Sequence, residues 1–261
     1  MDTRPRNDGA LWTRDQLVLA FELYCRIPFQ RTKATDGRVR ELAALIGRTP
    51  ASVARKLGNL GAFDPQLTQH NISGLAHGSK LDKTVWDEFH QDWAALATTA
   101  QEIKKILGAG TGAYAAGMAP HIQPQGPSEQ LRTAKQRLHQ AFFRDAVLSS
   151  YNNRCCITGM SVVECLVASH IIPWSVDEHR RADPRNGVCI SGTFDRLFDA
   201  GLITIQDDLT LRSSGRFQKL KDKYVIEQIV ARDGQKIIPP ARFFPDPVGL
   251  RWHREHKFKP L

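Results

Sequence analysis

The most constraining feature of this chain is a pattern spread over residues 166–205, beginning "LVASHIIPWS" and closing "NGVCISGTFDRLFDAGLITI". A short apolar run ends in His170, an imidazole that neither a core strand nor a surface loop requires. A charged loop, "SVDEHRRADPR", follows and turns at Asn186-Gly187, a dipeptide suited to tight turns. A second apolar run, "VCI", leads directly into a short helix that carries Asp195 and Asp199, with Gly201 placed to terminate it. The pattern therefore reads strand, loop, strand, helix. The two carboxylates stand at i and i+4 on one helical face, where like charges oppose the helix. A bound cation relieves that repulsion, and hard oxygen donors select Mg²⁺ or Mn²⁺.

The remaining chain sets the context. At 261 residues it suffices for one large domain or two modest ones. No apolar run approaches the roughly 20 residues of a membrane span, and no signal-like N-terminus is visible, so a cytoplasmic protein without membrane contact is expected. Five cysteines, an odd number, fit reduced thiols. The net charge of +9, divided +3 over residues 1–127 and +6 over 128–261, favours a polyanionic partner.

The segment "GAGTGAYAAGMAPHIQPQGP", residues 108–127, has linker composition and separates a helical part, 1–107, from a mixed part, 128–261. In the first part Thr13 is placed to cap a helix whose Leu17, Ala20, Phe21 and Tyr24 form one apolar face. Residues 81–107 read as one long amphipathic helix with Val85, Trp86, Phe89, Trp93 and Leu96 directed at the core. Between them, "RELAALIGRTPASVARKLGNL" fits a helix-turn-helix: Gly47 at the turn, Thr49 as cap and Pro50 as first residue of the second helix. That second helix is expected to present Ser52, Arg55, Lys56 and Asn59 to DNA, with Arg48 at its entrance, or else to serve plain helical packing. After the linker, a helix over 128–151 precedes short strands at "CCIT", "CLVASH", "VCI", "LITI" and "LTLRS", the last two forming a hairpin.

With these residues in view, "RCCITG…ECLVASHIIPWS…DPRNGVCISGTFDRLFDAGLITI" resembles the HNH endonucleases of the ββα-metal fold, over about residues 132–212. Among them it is most like the bacterial restriction and anti-phage branch. The resemblance implies an α+β chain with a C-terminal nuclease domain, His170 as general base and Asn186 as the brace of the turn. It implies one divalent ion held by Asp195, nine residues after Asn186, together with Asp199 and with Ser169, where the family often has Asp or His. Arg185 and Arg196 are expected to grip flanking phosphates of double-stranded DNA, and the products to carry a 5′-phosphate and a 3′-hydroxyl. Many relatives hold a structural Zn²⁺ with two CxxC pairs. Here Cys155 and Cys156 are adjacent and Cys165 and Cys189 isolated, so no structural Zn²⁺ is expected.

A base of ordinary pKa, near 6.5, would lose activity on protonation in the range of pH 5.5–8. Two staggered cuts require two active sites, which makes a homodimer compatible with such chemistry. The readings left open are a restriction or defence nuclease, selective or not for modified DNA, a toxin or effector nuclease with little sequence preference, and a DNA-binding regulator on a degenerate nuclease fold.

Overall fold

A computed structural model describes residues 10–65, 67, 78–108 and 127–261. Most of the segment expected as a linker, 109–126, lies outside the described residues. The architecture is α+β, with a helical layer ahead of a mixed layer that holds two small antiparallel sheets.

Helix α1, Arg14–Arg26, starts at Thr13, whose hydroxyl accepts from the Gln16 amide while the Gln16 side chain accepts from the Thr13 amide. Such a reciprocal cap stabilises a helix start by about 1 kcal/mol. Helices α2, Gly37–Leu45, and α3, Pro50–Gly61, follow, joined by a turn in which Gly47 takes φ +68. Thr49 caps α3 through the Ser52 amide. The long helix expected over 81–107 is two helices, α4, Lys80–Phe89, and α5, Trp93–Ile106. Asp92 breaks it by accepting from the Ala95 amide, which makes residue 92 a cap and not a helical position. Both pieces still direct Val85, Trp86, Phe89, Trp93 and Leu96 into the core.

Helix α6, Pro127–Ser150, joins the layers. Phe142 and Ala146 belong to the core of the helical layer, while Phe143 and Val147 belong to that of the mixed layer. The same helix therefore lies in both cores. Polar contacts reinforce this seam. Arg26 of α1 donates to Asp145 of α6 and to Glu22, and Lys104 of α5 also reaches Glu22. Burial pushes the Glu22 carboxyl up, but Arg26 and Lys104 outweigh it and bring its pKa down to about 2. The buried Arg242 donates to the carbonyls of Cys25 and Ile27 at the C-terminal end of α1 and to the Ser149 hydroxyl. Phe243, next to it, adopts φ +52 and sets its ring edge-on to Trp93, with centroids 5.2 Å apart.

In the mixed layer, β1, Leu166–His170, pairs antiparallel with β2, Gly187–Ser191, in the register Ser169↔Val188 and His170↔Gly187. Helix α7, Gly192–Asp199, leaves β2 without a loop. A second hairpin, β3, Ile203–Ile205, with β4, Leu211–Ser213, and helix α8, Pro247–His256, complete it. "CCIT", expected as a strand, is a turn, because the Cys155 sulfur accepts from the amides of Thr158 and Ser191 and folds the chain back. Gly201 takes φ +70, and a Cβ there would stand 1.9 Å from the Lys257 carbonyl oxygen. Only glycine therefore lets the segment after α8 close on the end of α7.

Candidate active site

Alternation along β1 sends neighbouring side chains to opposite faces of the hairpin. His170 lies on the α6 face. Its ring stacks on Phe143, with centroids 3.7 Å apart and planes within 10°, and Trp174 meets it edge-on at 5.6 Å. Gly187, paired with His170, makes room for this arrangement, since a Cβ there would fall 2.5 Å from Val147 and 2.7 Å from Phe143.

The Nε2 atom of His170 is 3.1 Å from the carbonyl oxygen of Arg181. A carbonyl only accepts, so Nε2 carries the proton and Nδ1 presents a lone pair. Burial between two aromatic rings lowers the His170 pKa to about 4, against a smaller opposing effect of the Arg181 carbonyl. The imidazole is thus neutral across the physiological range, a correction to the ordinary value expected from sequence.

The loop between the strands is pinned by Asn186. Its Oδ1 accepts from the Ile172 amide at 2.9 Å, and its Nδ2 donates to the carbonyls of Ile172 and Arg180 at 3.0 and 3.3 Å. The Ile171 amide also donates to the Asn186 carbonyl. Arg180 and Arg181 are one residue apart, so these bonds also fix the carbonyl that holds His170.

The carboxylates occupy the other face. Asp195 is partly buried and Asp199 exposed. Ser169 points the opposite way from His170, and its hydroxyl is buried without a hydrogen bond of ordinary geometry. Burial raises the Asp195 pKa, the adjacent Ser169 hydroxyl opposes the rise, and the charge of Asp199 adds to it. Among the described residues no group of three or more His, Cys, Asp or Glu side chains is arranged to hold a metal ion. The donor set here is two carboxylates and an otherwise unsatisfied hydroxyl. All are hard oxygens, and a Mg²⁺-sized ion is commonly held by one or two carboxylates and completed by water, so the residues fit such an ion.

The imidazole and the acidic group therefore lie on different faces of the hairpin. His170 lies on one face of β1, and its chain neighbour Ser169 turns to the other face, toward Asp195.

The expected DNA-contacting residues are distributed differently. Arg48 is turned inward: it stacks over Trp12 and donates to the carbonyls of Ala10 and Leu11 and to Gln16. Lys56 is buried in a two-oxygen contact with Asp82, both bonds 2.9 Å, and Asn59 is buried as well. These three lie on the inward side of α3, which closes against α4 and the residues before α1. Ser52 is partly exposed and Arg55 exposed. Arg185 is bound by Asp183 and reaches Gln91, whereas Arg196 is exposed.

Sequence reasoning missed Phe143 and Trp174 as the walls around His170. The doublet Phe142-Phe143 carried the signal, since two adjacent aromatics on one helix cannot enter the same core. It also missed His253 of α8, whose ring stacks on Phe198 at 3.8 Å. His253 donates through Nε2 to the Phe198 carbonyl, so Nδ1 accepts from the Thr204 hydroxyl.

Residues 155–206 match the family model of the HNH endonucleases. The matched span holds both strands of the first hairpin, the Asn186 clamp and the whole of α7. No curated protein matches the chain. Among the described residues no helix is long and apolar enough to cross a membrane.

Proposed function

We propose, from the premise that residues 155–206 carry an HNH endonuclease domain, that this chain is a metal-dependent endodeoxyribonuclease. The observation that supports it best is the tautomer of His170, whose Nε2–H is tied to the Arg181 carbonyl while Nδ1 is left to accept a proton. A phosphodiester resists hydrolysis because its anionic oxygens repel the nucleophile and its alkoxide leaves poorly. His170 Nδ1 takes the proton from water as that water attacks phosphorus. The stacked Phe143 and the clamp of Asn186 keep the ring aimed during this transfer. Asp195 and Asp199, with Ser169, would hold one Mg²⁺ or Mn²⁺, which when bound neutralises negative charge gathering on the phosphoryl and leaving oxygens. Arg196 lies on the same helix and can pair with a flanking phosphate.

The test is cleavage of supercoiled plasmid with Mg²⁺, Mn²⁺ or chelator. The intact protein should nick or linearise it only with metal. His170→Ala should lower the rate by about 10²–10⁴ and keep its fold by circular dichroism. A His170→Ala protein cutting at the wild-type rate would remove the imidazole from the mechanism. A wild-type protein that binds plasmid and never cuts would favour a regulator on a degenerate nuclease fold.

In this reading the biological use is restriction of foreign DNA, with dependence on base modification decided by cutting plasmids of differing modification status. A specific observation favours the second reading, an effector nuclease with little sequence preference. The inward placement of Arg48, Lys56 and Asn59 leaves α3 with few side chains for reading bases.

A further inference from the structure

The net charge of +9 implies a cationic surface, yet the cations expected on α3 are largely internal. Residues 212–223 carry five Arg and Lys against a single carboxylate, Asp222. That carboxylate already accepts from the Val225 amide. Within this stretch Arg216, Lys219 and Lys221 are exposed, and among the described residues no carboxylate pairs with them.

Local geometry aligns two of these. Gly215–Lys219 is a 3₁₀ turn capped by Ser214. Side chains three apart eclipse in such a turn, so Arg216 and Lys219 project together while Phe217, buried, anchors the other side. Both line one depression of about 240 Å³. Tyr224 and Leu220, 53% and 48% exposed, stand among the cations.

The position of this strip relative to α7 gives it meaning. The Ser214 amide donates to the Leu202 carbonyl, the Gly215 amide to the Pro260 carbonyl, and the Lys259 amide to the Gly201 carbonyl. The basic turn and the exposed Lys259 are thereby fastened to the end of the helix that carries Asp195 and Asp199. We infer that Arg216, Lys219, Lys221 and Lys259 form a phosphate-gripping track that receives the backbone of double-stranded DNA as it leaves α7. The track lies outside the span matching the endonuclease family, and the inference rests on the nuclease reading above for the identity of the polyanion. Lysine and arginine contacts of this kind position a duplex without reading its sequence.

The test uses the full chain, a 30-base-pair duplex and chelator to prevent cutting, with affinity followed by fluorescence anisotropy over a salt series. The triple variant Arg216→Glu/Lys219→Glu/Lys221→Glu should bind at least about tenfold more weakly than wild type. Its slope of log K against log salt should be shallower by about 2.7, three contacts at about 0.9 each. Its melting temperature should match wild type, since all three side chains are exposed and unpaired. The single variant Arg55→Glu tests the competing path over α3, and the loss of affinity it causes should be smaller than that of the triple variant. Wild-type affinity and slope in the triple variant would overturn the track, as would a loss confined to Arg55→Glu or a wild-type protein without affinity for duplex. A wild-type protein that binds through the track and fails to cut with Mg²⁺ or Mn²⁺ would sink the nuclease reading and leave the track standing.

Discussion

The imidazole of His170 lies flat on the phenyl ring of Phe143, with centroids 3.7 Å apart. This contact ties the histidine of β1 to a helix that runs through both cores. It also excludes water from one side of the ring and sets the protonation behaviour of the site.

Replacing Phe143 with Leu should therefore change chemistry more than binding. We expect kcat to fall at least about tenfold with KM little altered, at a stability cost of about 1–2 kcal/mol. Gly187→Ala should act through the same ring, because its methyl group would enter the space of Phe143 and Val147. Steady-state cleavage kinetics and urea denaturation check both. A Gly187→Ala enzyme with unchanged kcat would show that the stack does not aim the base.

The rate profile should reflect a buried imidazole. With the His170 pKa lowered to about 4, activity limited by this group holds from pH 8 down to about 5 and falls below that. Opening the stack in Phe143→Leu should move the acid limb upward, toward 6.5. Single-turnover rates across pH 4–8 decide it, and a midpoint near 6.5 in the wild type would contradict the burial argument.

Asn186→Asp keeps the shape of the side chain and loses two donors. Its second oxygen would face the carbonyls of Ile172 and Arg180, acceptor against acceptor in a buried place. A loss of about 2–3 kcal/mol is expected, together with cleavage reduced at least about tenfold, because the Arg181 carbonyl is no longer fixed. Denaturant melts paired with nicking assays measure both. Wild-type stability in this variant would show that the clamp is idle.

Acid should destabilise the fold through His170 and His253, whose folded pKa values are both lowered to about 4 by burial. An unfolded histidine titrates near 6.5, so between about pH 6.5 and 4 the unfolded chain binds more protons. Stability is therefore full above pH 6.5 and declines as pH falls toward 4, by roughly 3 kcal/mol per group at most. His253→Gln should flatten part of that slope. An identical slope in the variant and the wild type would assign the loss to other groups.

In the helical layer, removing one partner of the buried Lys56–Asp82 pair strands the other charge. Lys56→Ala should cost about 3–5 kcal/mol, whereas Arg55→Ala, one residue away and exposed, should cost less than about 0.5 kcal/mol. Thermal melts of the two variants separate packing from contact. A stable Lys56→Ala protein that loses DNA affinity would return this face of α3 to the recognition role expected from sequence.

What the sequence made legible was local. Thr13, Thr49 and Gly201 act at helix ends where a single residue type solves a backbone problem, and the run from His170 to Asp199 folds within itself. Long-range pairing was illegible for a physical reason. Arg48 and Lys56 have the same chemistry whether they face a phosphate or an internal acceptor, and only the approach of Leu11 and Asp82 decides between them. The lowered pKa of His170 likewise depends on Phe143, 27 positions away, arriving at 3.7 Å. The break at Asp92 was readable in principle, since aspartate is a favoured N-cap, but an unbroken apolar stripe masked it.

The left-handed backbone of Phe243 has a practical corollary. An aromatic residue pays about 1–3 kcal/mol to sit at φ +52, and here the compensation is the seat of its ring against Trp93, across the seam from the nuclease motif. A fragment beginning at residue 128 would forfeit that seat, along with the carbonyls that Arg242 reaches on α1's end. Anyone trimming this chain to a minimal catalytic piece should anticipate an insoluble product, and should instead co-express the two portions and look for reconstitution.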